Sequence, residues 1–405
     1  MSTAADQSSA PFTRGRPTRG DSGRLLGIDA ARGLALLGMV AAHVFPLLDS
    51  LNEPTPTALI ASGRSSALFA VVAGISLGLM SGGRSIPSGG KLAADWRGIA
   101  ARALVVLVIG LTLGQWDSGV AVILVQYAFL FLLALPFLGV RPQFLFPIAA
   151  TWLVVSPIVA YPLRQLVWAD PATARLEGNP DWEKLLDPAF LPDVFLTGYY
   201  PVIQWLGYVL LGIAVARIDL TKIRVAATLA LTGAITAAVS LIAGQVLMFN
   251  AGGLNALKST SEGATATFDA YFYVTASMFR KDESWWWLAV PTPHSGSIID
   301  LLHTSGTALL AIGVLLLAAR YLRPLIIPLA ALGRIPLTLY TAHVATLAIL
   351  NENGIMVEDP PLFWYTVLAA TILGLALMAL RWKGPLEWVT AAAARLARGT
   401  PRRIP

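Results

Sequence analysis

One charged residue, Arg334, lies about nine residues inside a segment, 325–350, that contains no other Asp, Glu, Lys or Arg. This segment is long enough to cross a bilayer. A charged side chain near the bilayer centre costs roughly 2.5–3.5 kcal/mol on insertion scales, so it usually faces a bundle interior or a water-filled cavity. The sequence therefore predicts a buried polar site at Arg334.

The first apolar segment carries a second group of ionisable residues. Asp29 and Arg32 are three residues apart, and His43 follows Arg32 by eleven residues, close to three helical turns. All three therefore share one helix face. The Asp29–Arg32 pair indicates either a contact with substrate or an interfacial ion pair that fixes the depth of the helix. His43 is a candidate functional residue, because an ionisable group at that depth usually marks a pathway or a site.

Three more polar residues follow Arg334 along the chain. In a regular helix Thr338 lies on the side of Arg334, whereas Tyr340 accompanies His343. Arg334 and His343 are nine residues apart and would face opposite ways, unless Pro336 breaks the helix. We expect Thr338, Tyr340 and His343 to contact substrate. The alternative for His343 is a structural hydrogen bond to a neighbouring helix.

A further group of polar residues lies toward the outer ends of the apolar segments. Arg64 opens the second segment, and Asp117 occupies a short QWDSG turn. His294 and Asp300 flank the start of a later segment. We predict that these four side chains contact substrate. The spacing of the histidines, His303 included, matches no metal-ligand signature and the chain has no cysteine, so no metal site is predicted.

Membrane helices must position these residues. Hydrophobic residues make up 56% of the chain and charged residues only 13%, against roughly 25% charged in a typical soluble domain. Apolar segments of about 20 residues recur, as a bilayer core requires. The sequence therefore predicts an all-α polytopic membrane protein with about ten transmembrane helices. The predicted segments are 26–48, 63–82, 97–114, 119–138, 143–160, 199–216, 225–249, 299–319, 325–350 and 362–380.

The basic residues orient these segments. Most Lys and Arg residues fall in the N-terminal tail, the even-numbered connections and the C-terminal tail, which predicts that both termini are cytoplasmic. Such residues lie beside anionic lipid, so the net charge of +6 requires no nucleic-acid partner. The richness in Ala, Gly, Arg and Pro is typical of a GC-rich bacterium. The predicted location is therefore the bacterial cytoplasmic membrane, as a multi-pass protein.

Three regions are predicted along the chain. Residues 1–23 are polar and rich in Pro, Gly and Arg, which indicates a disordered cytoplasmic tail. Residues 24–383 form the membrane bundle, with long outer loops at 161–198 and 250–298. Residues 384–405 are predicted to be an amphipathic cytoplasmic segment, since GPLEWVTAAAARLARG indicates a short helix on the inner leaflet with Trp388 and Leu396 inward and with Arg395 and Arg398 toward the headgroups.

Several stretches resemble a known family. The opening GIDAARGLALLGMVAAH, with its D-x-x-R-G pattern, and the next segment, GRSSALFAVVAGISLG, resemble the first two membrane helices of the heparan-α-glucosaminide N-acetyltransferase family. The stretches PHSGSIIDLLHTSGTAL, LGRIPLTLYTAH and RWKGPLEW are similar to related bacterial integral-membrane proteins of the same transmembrane acyltransferase superfamily. The resemblance covers most apolar segments, but neither the N-terminal tail nor the 161–198 connection.

The resemblance implies an enzyme. Such a protein takes an acyl group from cytoplasmic acyl-coenzyme A, with acetyl-coenzyme A expected first, and gives it to an extracytoplasmic sugar, glycolipid or envelope acceptor. The family uses a histidine near the outer end of its first two helices. The 49–63 connection contains none, and His43 is the nearest substitute.

This scheme assigns roles to charges on the predicted inner side. We expect five arginines to hold the phosphates of coenzyme A by charge-assisted hydrogen bonds: Arg84, Arg97, Arg102, Arg320 and Arg323. Arg334 and His43 would be the catalytic residues: Arg334 would stabilise the oxyanion that forms on the thioester carbonyl oxygen, and His43 would take the proton of the acceptor or accept the acyl group transiently. His294, Asp300 and Arg64 would form a vestibule for the acceptor. The scheme requires that Arg334 and His43 line one common cavity, reachable from both sides.

Two other functions stay open at this point. A transporter or flippase of a small or lipid-linked solute would also direct charged groups into a bundle, although no inverted repeat is evident. A non-catalytic membrane scaffold would need neither an inner anion site nor an outer base. The small residues of the second apolar segment would also permit a homodimer.

Overall fold

The computed structural model describes residues 25–51, 53–173, 176–260, 280–281, 283–355 and 360–399. The predicted N-terminal tail and the middle of the predicted 250–298 loop lie outside the described residues. Within the described part the chain is helical and has no strand, which confirms the all-α prediction.

The structure contains long helices joined by short turns and a few helical fragments. In chain order the helices are α1 Leu26–Val44, α2 Pro56–Ile60, α3 Arg64–Met80, α4 Gly89–Gly114, α5 Leu124–Ala134, α6 Pro142–Ala169, α7 Phe190–Pro192, α8 Val202–Ala216, α9 Ile223–Gln245, α10 Gly253–Lys258, α11 Ile298–Tyr321, α12 Arg323–Leu332, α13 Pro336–Glu352, α14 Pro360–Ala379 and α15 Pro385–Arg398.

The length and composition of these helices suit a multi-pass membrane protein. Seven helices of the described chain are long and apolar enough to span a membrane, and two bent pairs raise the number to nine. The bent pairs are Phe190–Thr197 with Val202–Ala216 and Arg323–Leu332 with Pro336–Glu352. The helix Leu124–Gly139, at the fourth predicted span, is shorter. The multi-pass prediction is confirmed, whereas the number ten and the cytoplasmic termini stay predictions.

Small residues bring the helices of the core close together. A side chain at Gly33 would collide with the backbone of Leu329 in α12, and one at Gly333 would collide with the backbone of Asp29 in α1. The glycine of the D-x-x-R-G pattern therefore permits α1 to lie directly against α12.

The small-residue face of α3 is used within the chain. A side chain at Gly74 would collide with the backbone of Val209 in α8, and one at Gly212 would collide with the backbone of Val71. Since α8 covers this face, a homodimer would need another surface.

The ninth predicted segment, 325–350, is not one helix. The chain bends by 61° between α12 and α13, and Arg334 lies in the break between them. Pro336 begins α13, where its missing N–H costs nothing. Irregular backbone at membrane depth needs partners within the protein. Arg32 supplies one of them by donating a 2.6 Å hydrogen bond to the Gly333 carbonyl.

The fourth predicted segment, 119–138, also differs from a regular span. Its helix begins only at Leu124, and the preceding residues are not helical. The side-chain amide of Asn179 binds the backbone of this stretch at two points. Its oxygen accepts from the Val122 N–H at 2.8 Å, and its nitrogen donates to the Val120 carbonyl at 2.9 Å. The predicted 161–198 loop thus supplies a partner for buried backbone. The same loop is partly helical, because α6 continues to Ala169.

The described part of the C-terminal segment forms helix α15, which packs against α4. Arg398 forms an ion pair with Asp95 at 3.1 Å, and the Arg97 guanidinium donates to the Ala397 carbonyl at 3.1 Å. Trp388 and Leu396 remain exposed on the opposite face. Arg398, which was predicted to face headgroups, is thus held by the bundle, and the amphipathic cytoplasmic segment stays a prediction.

Candidate active site

A cavity of about 590 Å³ opens among the start of α1, the end of α3 and the break between α12 and α13. We call it the inner cavity, because it lies at the end of the bundle that is predicted to be cytoplasmic. Four cationic side chains and two carboxylates line it, which gives it a positive balance. They are Arg32, Arg102, Arg334, Lys383, Asp29 and Glu387.

Arg32 is held firmly on the wall of this cavity. Its guanidinium forms an ion pair with Asp29 at 2.8 Å and donates to the Ser76 hydroxyl at 2.8 Å, besides its bond to the Gly333 carbonyl. The D-x-x-R-G residues thus connect α1 to α3 and to the break. Of the two alternatives that the sequence left open, this geometry favours a structural role for the Asp29–Arg32 pair.

Arg334 differs from Arg32, because its guanidinium is available. It lines the inner cavity, and it forms no side-chain hydrogen bond or ion pair with any residue that the structure describes. Arg102 also lines the cavity and makes one long hydrogen bond, 3.5 Å, to the Thr390 hydroxyl. Lys383 is exposed at the cavity mouth. These cations can receive an anionic ligand.

Glu387 of α15 caps the start of α13. Its carboxylate accepts from the backbone amides of Leu337 and Thr338 at 2.7 and 3.1 Å and from the Thr338 hydroxyl at 2.6 Å. A carboxylate at a helix N-terminus is stabilised by the free N–H groups and by the helix dipole. The predicted substrate contact at Thr338 is therefore occupied by Glu387, a residue of the GPLEW motif that sequence analysis did not select.

The five arginines predicted to hold phosphate are not gathered at one place. Only Arg102 lines the inner cavity. Arg84 is exposed and pairs with Asp219 at 3.0 Å, and Arg97 caps α15. Both Arg320 and Arg323 are exposed away from the cavity lining.

His43 and His343 form a pair in the bundle. The Nδ1 atom of His43 lies 3.2 Å from the Nε2 atom of His343, at hydrogen-bond distance. The structure thus places the last turn of α1 against α13. Neither imidazole lines the inner cavity; His343 lines a small apolar pocket of about 30 Å³ instead. The expectation that Arg334 and His43 line one common cavity is not met in this conformation.

Tyr340 lies between these two places. It lines both the inner cavity and the small pocket beside His343, and it is buried. Its hydroxyl accepts a hydrogen bond from the backbone N–H of Ile123 at 3.2 Å. Tyr340 therefore holds the non-helical stretch before α5 in place.

A second cavity, of about 350 Å³, lies at the other end of the bundle, where α4 and α6 finish. We call it the outer cavity. Asp117, a predicted site residue, lines it together with Asn179 and Trp168, and the Arg280 guanidinium lies 5.5 Å from the Trp168 ring. Polar and aromatic groups together suit a sugar-sized ligand. Sequence analysis missed most of this lining, because its residues come from connections far apart in the chain.

A thin wall separates the two cavities. Val122 and Gln126 line the outer cavity, whereas Leu124 and Tyr127 line the inner cavity. Residues one or two positions apart thus face opposite cavities. The start of α5 is the barrier between them.

The predicted vestibule residues gather next to the outer cavity, around a buried lysine that sequence analysis missed. Lys281 donates to the Ser295 carbonyl at 2.6 Å, and Asp300 accepts from the Gly296 N–H at 3.0 Å. Asp300 interacts electrostatically with both Lys281 and Arg64. Burial, followed by the charge of Arg164, lowers the pKa of Lys281 well below its usual value. The three predicted vestibule residues, Arg64, His294 and Asp300, are thus brought together, whereas Asp117 lines the outer cavity.

His294 connects this cluster to the histidine pair. Its ring lies 4.3 Å from that of Tyr199 and is parallel to that of Trp205 at 6.2 Å, and its φ of 57° is rare for a residue other than glycine. Burial, then the charges of Lys281 and His43, lower its pKa to about 3. His294 is therefore neutral near pH 7, and it lies within electrostatic range of His43.

The fourth histidine, His303, has a structural partner. Its Nδ1 atom lies 2.9 Å from the Ala237 carbonyl in α9. Among the residues that the structure describes, no three His, Asp or Glu side chains are grouped closely enough to hold a metal ion.

Residues 24–249, more than half of the chain, match the family model described as heparan-alpha-glucosaminide N-acetyltransferase, catalytic. The chain belongs to this family. The match confirms the resemblance stated above and makes the protein a member of a membrane acetyltransferase family. Comparison with curated proteins and with solved structures found no match.

The match to the heparan-α-glucosaminide N-acetyltransferase family covers only part of the site. Asp29, Arg32, His43 and Arg102 lie inside the matched residues, whereas α11 to α15 lie beyond them. Arg334 is thus outside the matched range, although it shares the inner cavity with the family's D-x-x-R-G residues.

Proposed function

We propose that the protein transfers an acetyl group from acetyl-coenzyme A, bound in the inner cavity, to an extracytoplasmic hydroxyl or amine, bound in the outer cavity. One observation carries this proposal: two cavities enter the bundle from opposite ends, and neighbouring residues at the start of α5 line both of them. A sugar, glycolipid or envelope polymer is the proposed acceptor. Membership of an acetyltransferase family supports the choice of the acyl group.

The charges of the inner cavity support a coenzyme A site. Coenzyme A carries a pyrophosphate and a 3′-phosphate, and phosphate groups bind strongly to arginine through charge-assisted hydrogen bonds. Lys383 and Arg102 lie near the cavity mouth and wall, where they would hold the phosphates. The available guanidinium of Arg334 lies deeper, at the helix break, where it would meet the thioester.

The reaction divides among these residues. The acceptor oxygen or nitrogen attacks the thioester carbonyl while His43 takes its proton. Arg334 stabilises the oxyanion of the tetrahedral intermediate. Collapse of the intermediate breaks the carbon–sulfur bond, and the coenzyme A sulfur receives the proton. The products are the acetylated acceptor and free coenzyme A.

This chemistry requires a conformational step. Arg334 lines the inner cavity and His43 does not, so the wall at Tyr340 and Ile123 must open for both to reach one carbonyl carbon. Separation of the cavities between turnovers would protect the thioester from water.

The outer cavity is suited to an acceptor with several hydroxyl groups. Asp117 and Asn179 offer hydrogen-bond partners, and Tyr199 and Trp168 offer aromatic faces. The buried group of His294, Asp300 and Arg64 lies beside this cavity, where it would orient the acceptor.

The proposed location is a bacterial cytoplasmic membrane, with both termini on the cytoplasmic side and lipid around the bundle.

Transport is the second candidate, and the two bent helix pairs favour it. Transporters bind solutes at broken helices near the midplane and open alternately to either side. A chain with cavities at both ends fits that scheme as well. The two functions differ in outcome, because an acetyltransferase releases free coenzyme A, whereas a transporter leaves the thioester intact.

Binding of the donor tests the proposal first. The full chain is purified in lipid nanodiscs, and its thermal midpoint is measured with acetyl-coenzyme A and with acetate alone. We expect acetyl-coenzyme A to raise the midpoint of the wild type and of Arg84→Ala, whose side chain pairs elsewhere. Arg334→Ala should lose most of this shift. No shift for the wild type would refute donor binding in the inner cavity.

A further inference from the structure

We propose that His343 is a positioning residue that fixes the tautomer of His43 and thereby keeps the Nε2 atom of His43 free to act as the base. This inference rests on the proposed function, in which His43 takes the proton of the acceptor. It adds a specific role for His343, acting through its contact with His43.

The geometry of the pair carries the inference. The two nitrogens are 3.2 Å apart, and the rings are parallel within 3° with centroids 5.4 Å apart. The residues are 300 positions apart, so the contact depends on the tertiary fold alone. His343 is 6% exposed. Among the residues that the structure describes, His43 is the hydrogen-bond partner of the His343 ring.

A hydrogen bond between two neutral imidazoles holds one proton between the two nitrogens. Either His43 Nδ1–H donates to His343 Nε2, or His343 Nε2–H donates to His43 Nδ1. In the first arrangement His43 Nε2 carries no proton and is a base. In the second arrangement His43 Nε2 carries the proton and is not a base. The tautomer of His343 therefore decides whether His43 can react.

The first arrangement corresponds to the general logic of an oriented catalytic base. When a neighbouring group accepts a hydrogen bond from one ring nitrogen of a catalytic histidine, the other ring nitrogen carries no proton and can act as the base. Here the accepting group is an imidazole where a carboxylate often serves. During the reaction the proton of the acceptor binds His43 Nε2, and it then passes to the sulfur of coenzyme A. His343 returns to its starting state without a net change.

The surroundings of the pair are suited to this role. Apolar side chains, Leu36, Met39 and Val40, line the small pocket at His343. Tyr340 is one turn before His343 and lines the inner cavity. The pair also ties α1 to α13, so that the base and the break at Arg334 are held by the same two helices.

The test compares His343→Ala with His343→Gln. The glutamine oxygen can accept a hydrogen bond from His43 Nδ1–H, whereas alanine offers no acceptor. Acetyl transfer is measured with the full chain in nanodiscs, acetyl-coenzyme A as donor and glucosamine as the probe acceptor. We expect His343→Ala to lower kcat by about a hundredfold with little change in the KM for acetyl-coenzyme A. His343→Gln should recover at least a tenth of the wild-type kcat.

Controls separate positioning from loss of structure. Thr346→Ala, an exposed position on the same helix, should keep the wild-type kcat. The thermal midpoint of each variant shows whether it is folded. Loss of kcat that is equal in His343→Ala and His343→Gln would overturn the inference, and so would a normal kcat in His343→Ala.

A second measurement does not depend on activity. Nitrogen-15 NMR of histidine-labelled protein identifies which nitrogen of His43 carries the proton. We expect Nδ1 to be protonated in the wild type and in His343→Gln, and a mixture of tautomers in His343→Ala. A protonated Nε2 in the wild type would refute the inference even if transfer is observed. If the wild type transfers no acetyl group, the proposed function fails, and the NMR result alone decides the inference.

Discussion

The backbone amide of Ile123 donates a hydrogen bond of 3.2 Å to the hydroxyl of Tyr340, across the wall between the two cavities. The amide belongs to a non-helical stretch, and a buried amide without a partner costs about 1–3 kcal/mol. One tyrosine thus stabilises the barrier and also lines the inner cavity.

Replacement of Tyr340 by phenylalanine should weaken this barrier. The ring keeps its packing, but the Ile123 amide loses its acceptor, so we expect a lower thermal midpoint by several degrees. Water should also reach the donor, which predicts faster hydrolysis of acetyl-coenzyme A without acceptor. Both quantities are measured on the full chain in nanodiscs. Unchanged midpoint and unchanged hydrolysis would show that the hydrogen bond does not maintain the wall.

Substitution of Arg32 should lower stability, whereas substitution of Arg334 should weaken donor binding. Arg32 connects Asp29, Ser76 and the Gly333 carbonyl, so Arg32→Ala removes one ion pair and two hydrogen bonds that join three helices, and it should destabilise the fold by about 3 kcal/mol. Arg334→Ala breaks no described contact and should leave stability unchanged while donor binding is lost. Thermal unfolding and acetyl-coenzyme A titration measure the two effects.

The opposite result for either arginine would contradict this division. Exposed Arg320 provides the control, since Arg320→Ala should change neither stability nor donor binding. A loss of donor binding in Arg320→Ala would show that the phosphates lie elsewhere.

Glu387 should hold the C-terminal helix on the bundle. Glu387→Ala removes the acceptor of three hydrogen bonds at the start of α13, whereas Glu387→Gln keeps one oxygen. We expect limited proteolysis to cut α15 fastest in the alanine variant, at an intermediate rate in the glutamine variant and slowest in the wild type. Equal rates in all three proteins would mean that the cap does not anchor the helix.

His294 should make the protein less stable in mild acid. Its pKa is lowered from 6.5 to about 3, first by burial and then by Lys281 and His43. Between these pH values the unfolded chain binds a proton that the folded chain does not, so stability falls as the pH decreases through 6.5. The thermal midpoint should drop less between pH 7.5 and pH 5 in His294→Gln than in the wild type. Equal drops would show that His294 does not contribute.

Local sequence patterns predicted the first helix well. Asp29 and Arg32 are three residues apart on one face, and the ion pair forms as helix geometry requires. Gly33 of the same pattern is explained by the neighbouring helix, because α12 lies directly against it. Composition likewise predicted a multi-pass helical protein, since a bilayer imposes long apolar helices.

Long-range contacts could not be predicted in this way. The break at Arg334 was foreseen only as an effect of Pro336, whereas Arg32 and Glu387 hold the two sides of it from distant parts of the chain. Helical periodicity placed His343 opposite Arg334 in one helix, and it gave no means to pair His343 with His43. The non-helical stretch before Leu124 depends on Asn179, which is 57 residues away from Val122. Such partners are fixed by the tertiary fold.

The most direct measurement supplies the donor on one side of a membrane and the acceptor on the other. Proteoliposomes with inward- and outward-facing protein are sorted by accessibility of the C-terminal segment, and acetyl-labelled coenzyme A is supplied on the side where that segment lies. We predict labelled N-acetylglucosamine from glucosamine supplied on the opposite side, and none with Arg334→Ala. Label that appears only when donor and acceptor share one side, or no label at all, would contradict transfer between two cavities.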